Sequence, residues 1–248
     1  LGWLIIFVFV FNGVSWGGIR WWRANEYWKD FLFALDVYER EQFCNERPAL
    51  DVIVSRPFYM GKFEVTNEQY AAVMEINQNK FKEYSFPVGG LSWDNAQLFC
   101  NKVSEITGSK VRLPTEAEWE YACRAGTTTM FYSGNGVKDL MKVGWFDQNS
   151  GGKMHPVGQK QPNAFGLYDM HGNQSEFCQD WSSSYSIFRS RIDPQEIDGC
   201  YRPIRGGCFS SRASYCRSAS RGSFIENEFF NGGFRVVLQK SGDSLGRL

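Results

Sequence analysis

The sequence predicts an irregular α+β fold, loop-rich, with short antiparallel strands and about three helices. Three observations carry that expectation. Helix-like and strand-like stretches alternate without the even spacing of βαβ units, Gly and Pro recur between them, and no internal repeat, linker or low-complexity tract interrupts the chain. At 248 residues, 43% apolar and 17% aromatic, the chain has ample material for a packed core, and one domain over residues 1–248 is expected.

The apolar run from Leu4 to Phe11 ends at Asn12-Gly13. It is far shorter than the roughly 18 residues of a membrane-spanning helix, so it reads as a buried strand. In "DVIVSRPFYMGKFEVTNEQYAAVM" two short strands precede a helix N-capped by Thr66, with Gln69 as its capping-box partner. In "LSWDNAQLFCNKVSEITG" Ala96, Phe99, Cys100 and Val103 share one helical face, and Gly108 is the stop. In "LPTEAEWEYACRAG" Thr115 is the N-cap, acidic residues fill the first turn, and Gly126 lies beyond the end. Trp119 and Cys123 occupy one face of this third helix, and its charged pairs are expected to form a solvated face. Short strands are predicted near 141–146, 176–181, 203–207 and 233–238.

Lys plus Arg and Asp plus Glu are equal at 27 each, which gives no general attraction to nucleic acid or an anionic membrane. Seven cysteines without a CxxC, and only two histidines, argue against zinc. Cys100 and Cys123 are expected to be buried structural thiols. His155 and His171 are expected to be satisfied hydrogen-bonding residues.

The stretches "FYMGKFEVTNEQY", "LSWDNAQLFCNKVSEITG", "VRLPTEAEWEYACRAGTTTMFY", "HPVGQKQPNAFGLYDMHGN", "RGG" and "GFRVV", in that order over most of residues 52–238, resemble the formylglycine-generating enzyme, or sulfatase-modifying-factor, domain family. The resemblance implies a variant of the C-type lectin fold. Residues 19–48 match nothing in that pattern and form an unassigned insert.

Enzymes of that family oxidise a substrate cysteine with dioxygen and copper held by two cysteines. Laid on this sequence, the pair falls on Ser211 and Cys216. A hydroxyl cannot replace a thiolate on Cu(I), so no copper is expected in the family's manner. Cys208 with Cys216 is the substitute pair if the chain is an enzyme. Gln174 and Ser175 also depart from the family's usual residues. The resemblance further implies a structural Ca²⁺ held by the side chains of Asp169 and Glu176 and the carbonyls of Gly172 and Gln174. Asn163, Gly166, Gly172 and Asn173 fit turn positions.

Some members of this fold are bacterial variable proteins of diversity-generating retroelements, the treponemal type among them, in which adenine-specific mutagenesis rewrites a segment between "RGG" and "GFR". Residues 205–237 contain no Lys, Gln, Met or Trp. The positions that break the family pattern there are all reachable by mutating AAC codons, whereas Glu226 and Glu228 are not. The expected ligand-binding residues are Cys208, Phe209, Ser210, Ser211, Arg212, Tyr215, Ser220, Gly222, Ser223, Phe224, Ile225, Phe229, Phe230, Asn231 and Gly232. Aromatic anchors among Ser, Gly and Arg are the composition of a binding loop. Gly206, Gly207, Gly233, Phe234 and Arg235 would hold the frame.

The expectation is therefore a non-enzymatic binding protein for a protein or cell-surface ligand, at the bacterial cell surface or secreted, with cytoplasm left open by the thiol count. Two alternatives stay open: a copper-dependent formylglycine-generating oxidase, and a degenerate structural or regulatory domain of the same family.

Overall fold

The computed structural model describes residues 7–10, 19–20, 46, 51–77, 83–182, 191–225 and 232–239. Strand β1 (Phe7–Val10) lies antiparallel on β4 (Phe58–Gly61), as the apolar N-terminal run predicts. A two-stranded ribbon pairs β2 (Ile19–Arg20) with β3 (Asp51–Val52). The larger sheet continues through β9 (Val237–Gln239) to β5 (Lys110–Arg112), in the order β1-β4-β9-β5. A second sheet has the order β6 (Glu176–Phe177), β7 (Tyr201–Arg205), β8 (Gly222–Ile225).

The three predicted helices form where their caps place them. Helix α1 (Asn67–Met74), α2 (Trp93–Thr107) and α3 (Glu116–Arg124) each begin with a complete capping box, at Thr66, Ser92 and Thr115. Each box satisfies backbone N–H groups that the first turn leaves without intrahelical partners. The apolar face of α2 buries Ala96, Phe99, Cys100 and Val103 against β5 and α1. There Phe99 stacks on Tyr70 at 5.7 Å and meets Phe234 edge-on at 5.2 Å. Burying such rings contributes about 1.5–3 kcal/mol each. Trp119 of α3, with no exposed surface, is at the centre of the other main cluster beside Met60, Leu167 and Met170.

Several predicted strands differ from the observed elements. The stretch near 141–146 is not a strand: Val137–Val143 forms a helix, α4, with Gly136 as N-cap. Asp139 sets its start by accepting the Gly136 N–H at 3.2 Å. Trp145 only bridges Gly172. The predicted strand at 176–181 is cut to Glu176–Phe177, that at 203–207 shifts to Tyr201–Arg205, and that at 233–238 begins at Val237. Gly206 and Gly207 end the β7 ladder, because they take positive φ (90° and 70°).

Candidate recognition surface and its frame

The charged residues of α3 are not a solvated face. Glu116, Glu118, Glu120 and Arg124 are all buried, and every one is ion-paired. Arg124 pairs with Glu120 within the helix, and the other partners come from β5 and from the two ends of a surface loop. Arg112 meets Glu118 with two contacts of 2.6 Å. Arg205, at the end of β7, reaches Glu120 and lies 3.6 Å from Glu116. Arg221, just before β8, forks onto Glu116 at 2.5 and 2.5 Å. One carboxylate thus contacts both ends of segment 206–220. Arg205 also donates to the carbonyls of Ala219 and Ser220, at 2.9 and 2.6 Å, which closes the loop on itself. Burial works against the Glu116 charge, and the two guanidiniums outweigh it, so its carboxyl is held below the ordinary range.

Arg235 supplies the other side of the frame. It is fully buried and donates to both oxygens of Glu176 at 2.6 Å, and to the carbonyls of Gly61 and Tyr168. The Trp119 indole donates to Glu176 as well, at 2.7 Å. Gly206 packs over Trp119, and a side chain at Gly207 would run into Cys216 Sγ. The frame residues read from "RGG" and "GFR" therefore lock onto α3, β6 and the core.

Between these anchors, residues 208–216 form a tight turn and a 3₁₀ turn (Ala213–Cys216). The loop is pinned chiefly through its own main chain. Phe209 N–H donates to the Asn173 carbonyl at 2.9 Å, and the Phe209 carbonyl accepts from the Ser150 hydroxyl at 2.7 Å. Asp147 N–H donates to the Ser211 carbonyl at 3.0 Å, and Ser211 N–H to that of Cys208 at 2.9 Å. Of the expected contact residues, Ser210, Arg212 and Ser223 are exposed, while Cys208, Phe209, Ser211 and Tyr215 are half-buried. These form the presented surface.

Others of the set are not presented. Phe224 is only 7% exposed and packs 5.1 Å from Phe177, because the pleat of β8 turns it inward while Ser223 faces out. Ser220 and Gly232 are buried, the latter bridged to Leu91, and Gly222 lies against Ile204 in the sheet. Ile225 belongs to β8, and Phe229, Phe230 and Asn231 lie outside the described residues. Sequence reasoning missed the shelf beneath the loop, Asp147 to Ser150, and the hub at Asn173. Asn173 joins Trp145, His155, Glu64 and Phe209 through its backbone and amide. Only its place in a Gly-Asn turn hinted at that.

The two thiols of the substitute pair differ in exposure, Cys208 being half-buried and Cys216 buried. Cys216 is fully buried, and burial raises its thiol above the ordinary range, with nearby Cys208 adding to the rise. Ser211, at the position of the missing ligand, is a turn residue: its hydroxyl accepts the Cys208 N–H at 2.9 Å. Thiol reactivity needs an accessible setting, which the buried Cys216 lacks. Cys100 and Cys123 are buried as expected. His171 is fully satisfied: its Nε2 accepts from Tyr132 N–H at 3.1 Å, and its Nδ1 meets the Cys216 carbonyl at 2.7 Å. Burial lowers it to about 3, so it is neutral and structural. His155 bonds the Ser150 carbonyl and stacks on Trp145 at 3.7 Å.

The two carboxylates expected for calcium are engaged differently. Both oxygens of Glu176 are committed to Arg235, and no group of three or more acidic, His or Cys side chains stands together as a metal site among the described residues. Asp169 accepts the Gly158 N–H at 2.6 Å, and its second oxygen is buried without a hydrogen-bond partner. Burial raises this carboxyl to about 6. Asn163 is the expected turn residue, and it also donates to the Ala122 and Cys123 carbonyls at the end of α3, at 2.7 and 3.1 Å.

Comparison with known proteins agrees with this architecture. The sulfatase-modifying factor enzyme 1-like domain matches residues 30–240. The chain belongs to that family. A family relative, a chaperone protein LppX of Paenibacillus barcinonensis, is 29% identical over 234 residues, covering 74% of this chain and 80% of that protein. The formylglycine-generating enzyme of Bos taurus is 32% identical over 168 residues, and the match covers 61% of this chain but only 43% of the bovine protein. Among solved structures, Treponema denticola variable protein 1 superposes with a TM-score of 0.69 at 28% identity, covering 77% of this chain and 88% of the treponemal one. The sulfatase-modifying-factor domain thus has enzymes and a variable protein among its members' likenesses. No helix among the described residues is long and apolar enough to cross a membrane.

Proposed function

We propose that this domain is a non-enzymatic binding protein that presents residues 208–215 and Ser223 to a protein or cell-surface ligand, at the bacterial cell surface or in secreted form. One observation carries this reading. The loop is held at its ends by Arg205 and Arg221 on Glu116, and along its length by main-chain hydrogen bonds, so its outward side chains can change without loss of the pins. Half-buried Phe209 and Tyr215 would supply contact area, and Arg212 a charge-directed hydrogen bond. The likeness to the treponemal variable protein supports directed variation of this loop. Its genetic counterpart would be a reverse transcriptase and a near-copy of codons 205–237 beside the gene.

The competing reading is a copper-dependent formylglycine-generating oxidase using Cys208 and Cys216, which the bovine relative favours. The two separate in one assay. The protein is loaded with Cu(I) and incubated in air with a cysteine-containing sulfatase peptide, and the aldehyde is trapped with a hydrazine and counted by mass spectrometry. The binding reading expects no aldehyde above the copper-only control. Catalytic aldehyde formation that disappears in Cys216→Ser would overturn it.

A further inference from the structure

A second polar site lies away from the loop, at the end of the larger sheet. A cleft of about 280 Å³ is lined in part by Arg56, Lys110, Arg112, Glu118, Gln179 and Asp193, and shares no residue with segment 205–225. That is close to the lower end of the roughly 300–1,000 Å³ typical of small-molecule sites. Its charges divide into committed and uncommitted groups. Arg112 and Glu118 bind each other at 2.6 Å, and Glu118 also caps α3 through Thr115 N–H at 2.8 Å. Asp193 accepts the Ser55 N–H at 2.6 Å and the Ser55 hydroxyl. Arg56 and Lys110, by contrast, are exposed and form no ion pair among the described residues. The Gln179 side-chain oxygen is buried with no hydrogen-bond partner, while its backbone N–H is fixed to the Pro114 carbonyl at 2.8 Å.

An unmet buried acceptor costs about 1–3 kcal/mol and calls for a donor, whereas two free cations call for an anion. Three cationic and two anionic side chains line the cleft, so a monoanion balances it and a dianion exceeds the balance. We propose that the cleft binds a terminal acylamino carboxylate, the –CO–NH–CHR–COO⁻ group at the C-terminus of a short peptide. Its carboxylate meets Arg56 and Lys110, and its amide N–H meets the Gln179 side-chain oxygen, which turns from its buried position into the cleft. The site does not depend on the loop's role.

Isothermal titration of the whole chain with N-acetylglycine, acetate, N-acetylglycinamide and inorganic phosphate tests this. N-acetylglycine is expected to bind saturably, with acetate and N-acetylglycinamide, each lacking one half of the motif, about tenfold weaker or more. Arg56→Met, Lys110→Met and Gln179→Met should each weaken N-acetylglycine by about tenfold. The first two replace exposed side chains, so their unfolding midpoints should match the parent. Absence of saturable binding, equal binding of acetate, tighter binding of phosphate, or indifference to all three substitutions would each overturn the proposal.

Discussion

Glu116 holds both ends of the loop, and its neighbours make its charge hard to replace. Glu116→Gln leaves the buried Arg221 guanidinium without its carboxylate, a change that costs about 3–5 kcal/mol when a buried pair is broken on one side. Ser210→Ala and Ser223→Ala remove exposed side chains and should stay within about 0.5 kcal/mol of the parent. Urea unfolding of the three variants checks this; equal losses at Glu116 and Ser210 would contradict the frame. A second residue-scale test uses pH. Asp180 is buried and accepts the Glu116 N–H at 2.6 Å, and burial, reinforced by the Glu116 charge, raises its carboxyl to about 8. A raised carboxyl stabilises the fold at pH below its ordinary value near 3.8, and that contribution is lost as pH climbs through the folded value. The stability advantage of the parent over Asp180→Asn should therefore shrink between about pH 4 and 8. A constant difference across that range would contradict a buried, titrating Asp180.

Elements were legible in the sequence where local chemistry decides them, and less so where tertiary contacts do. Thr66 and Thr115 start α1 and α3 as read, because an N-cap acts on residues within three positions of it, while the Ser92 cap of α2 was not singled out. Helix α4 escaped notice because Val137–Val143 has only seven residues, too few for a periodic signal, and starts at a glycine without a side-chain cap. The strands after residue 175 were placed within a few positions, but the end of β7 is set by Gly206 and Gly207, whose positive φ depends on the fold. Charge was the larger misreading. Acidic residues in the first turn of α3 suit a solvated face equally well until Arg112, Arg205 and Arg221 arrive from distant strands. Gly172 shows an element-scale dependence that can be tested. Its φ is +87°, and a Cβ there would collide with the Trp145 backbone carbonyl. Gly172→Ala should lower stability by more than the ~1 kcal/mol of an ordinary Gly-to-Ala strain, since backbone must move. Thermal unfolding reads this, and an unchanged midpoint would contradict the close packing of the 145 and 172 segments.

At the scale of the whole molecule, two sheets and a buried network of ion pairs support a loop held at its ends by Arg205 and Arg221 and in its middle by main-chain hydrogen bonds. The family and the ends of the loop could be read from ordered motifs, since "RGG", "GFR" and the α3 sequence stand at fixed positions in the fold. Which side chains the loop presents could not, because Phe224 and Ser223 differ by one residue and point to opposite faces of β8. The separation of frame from surface is the central claim. Two display libraries test it most directly, one randomising Phe209, Ser210, Arg212, Tyr215 and Ser223 together, the other Glu116, Glu176, Arg205, Arg221 and Arg235, each scored for the fraction of clones that survive heat and protease challenge. Most clones of the first library should survive like the parent and few of the second. Similar survival in the two, or collapse of the first, would contradict a rigid frame that presents a replaceable surface.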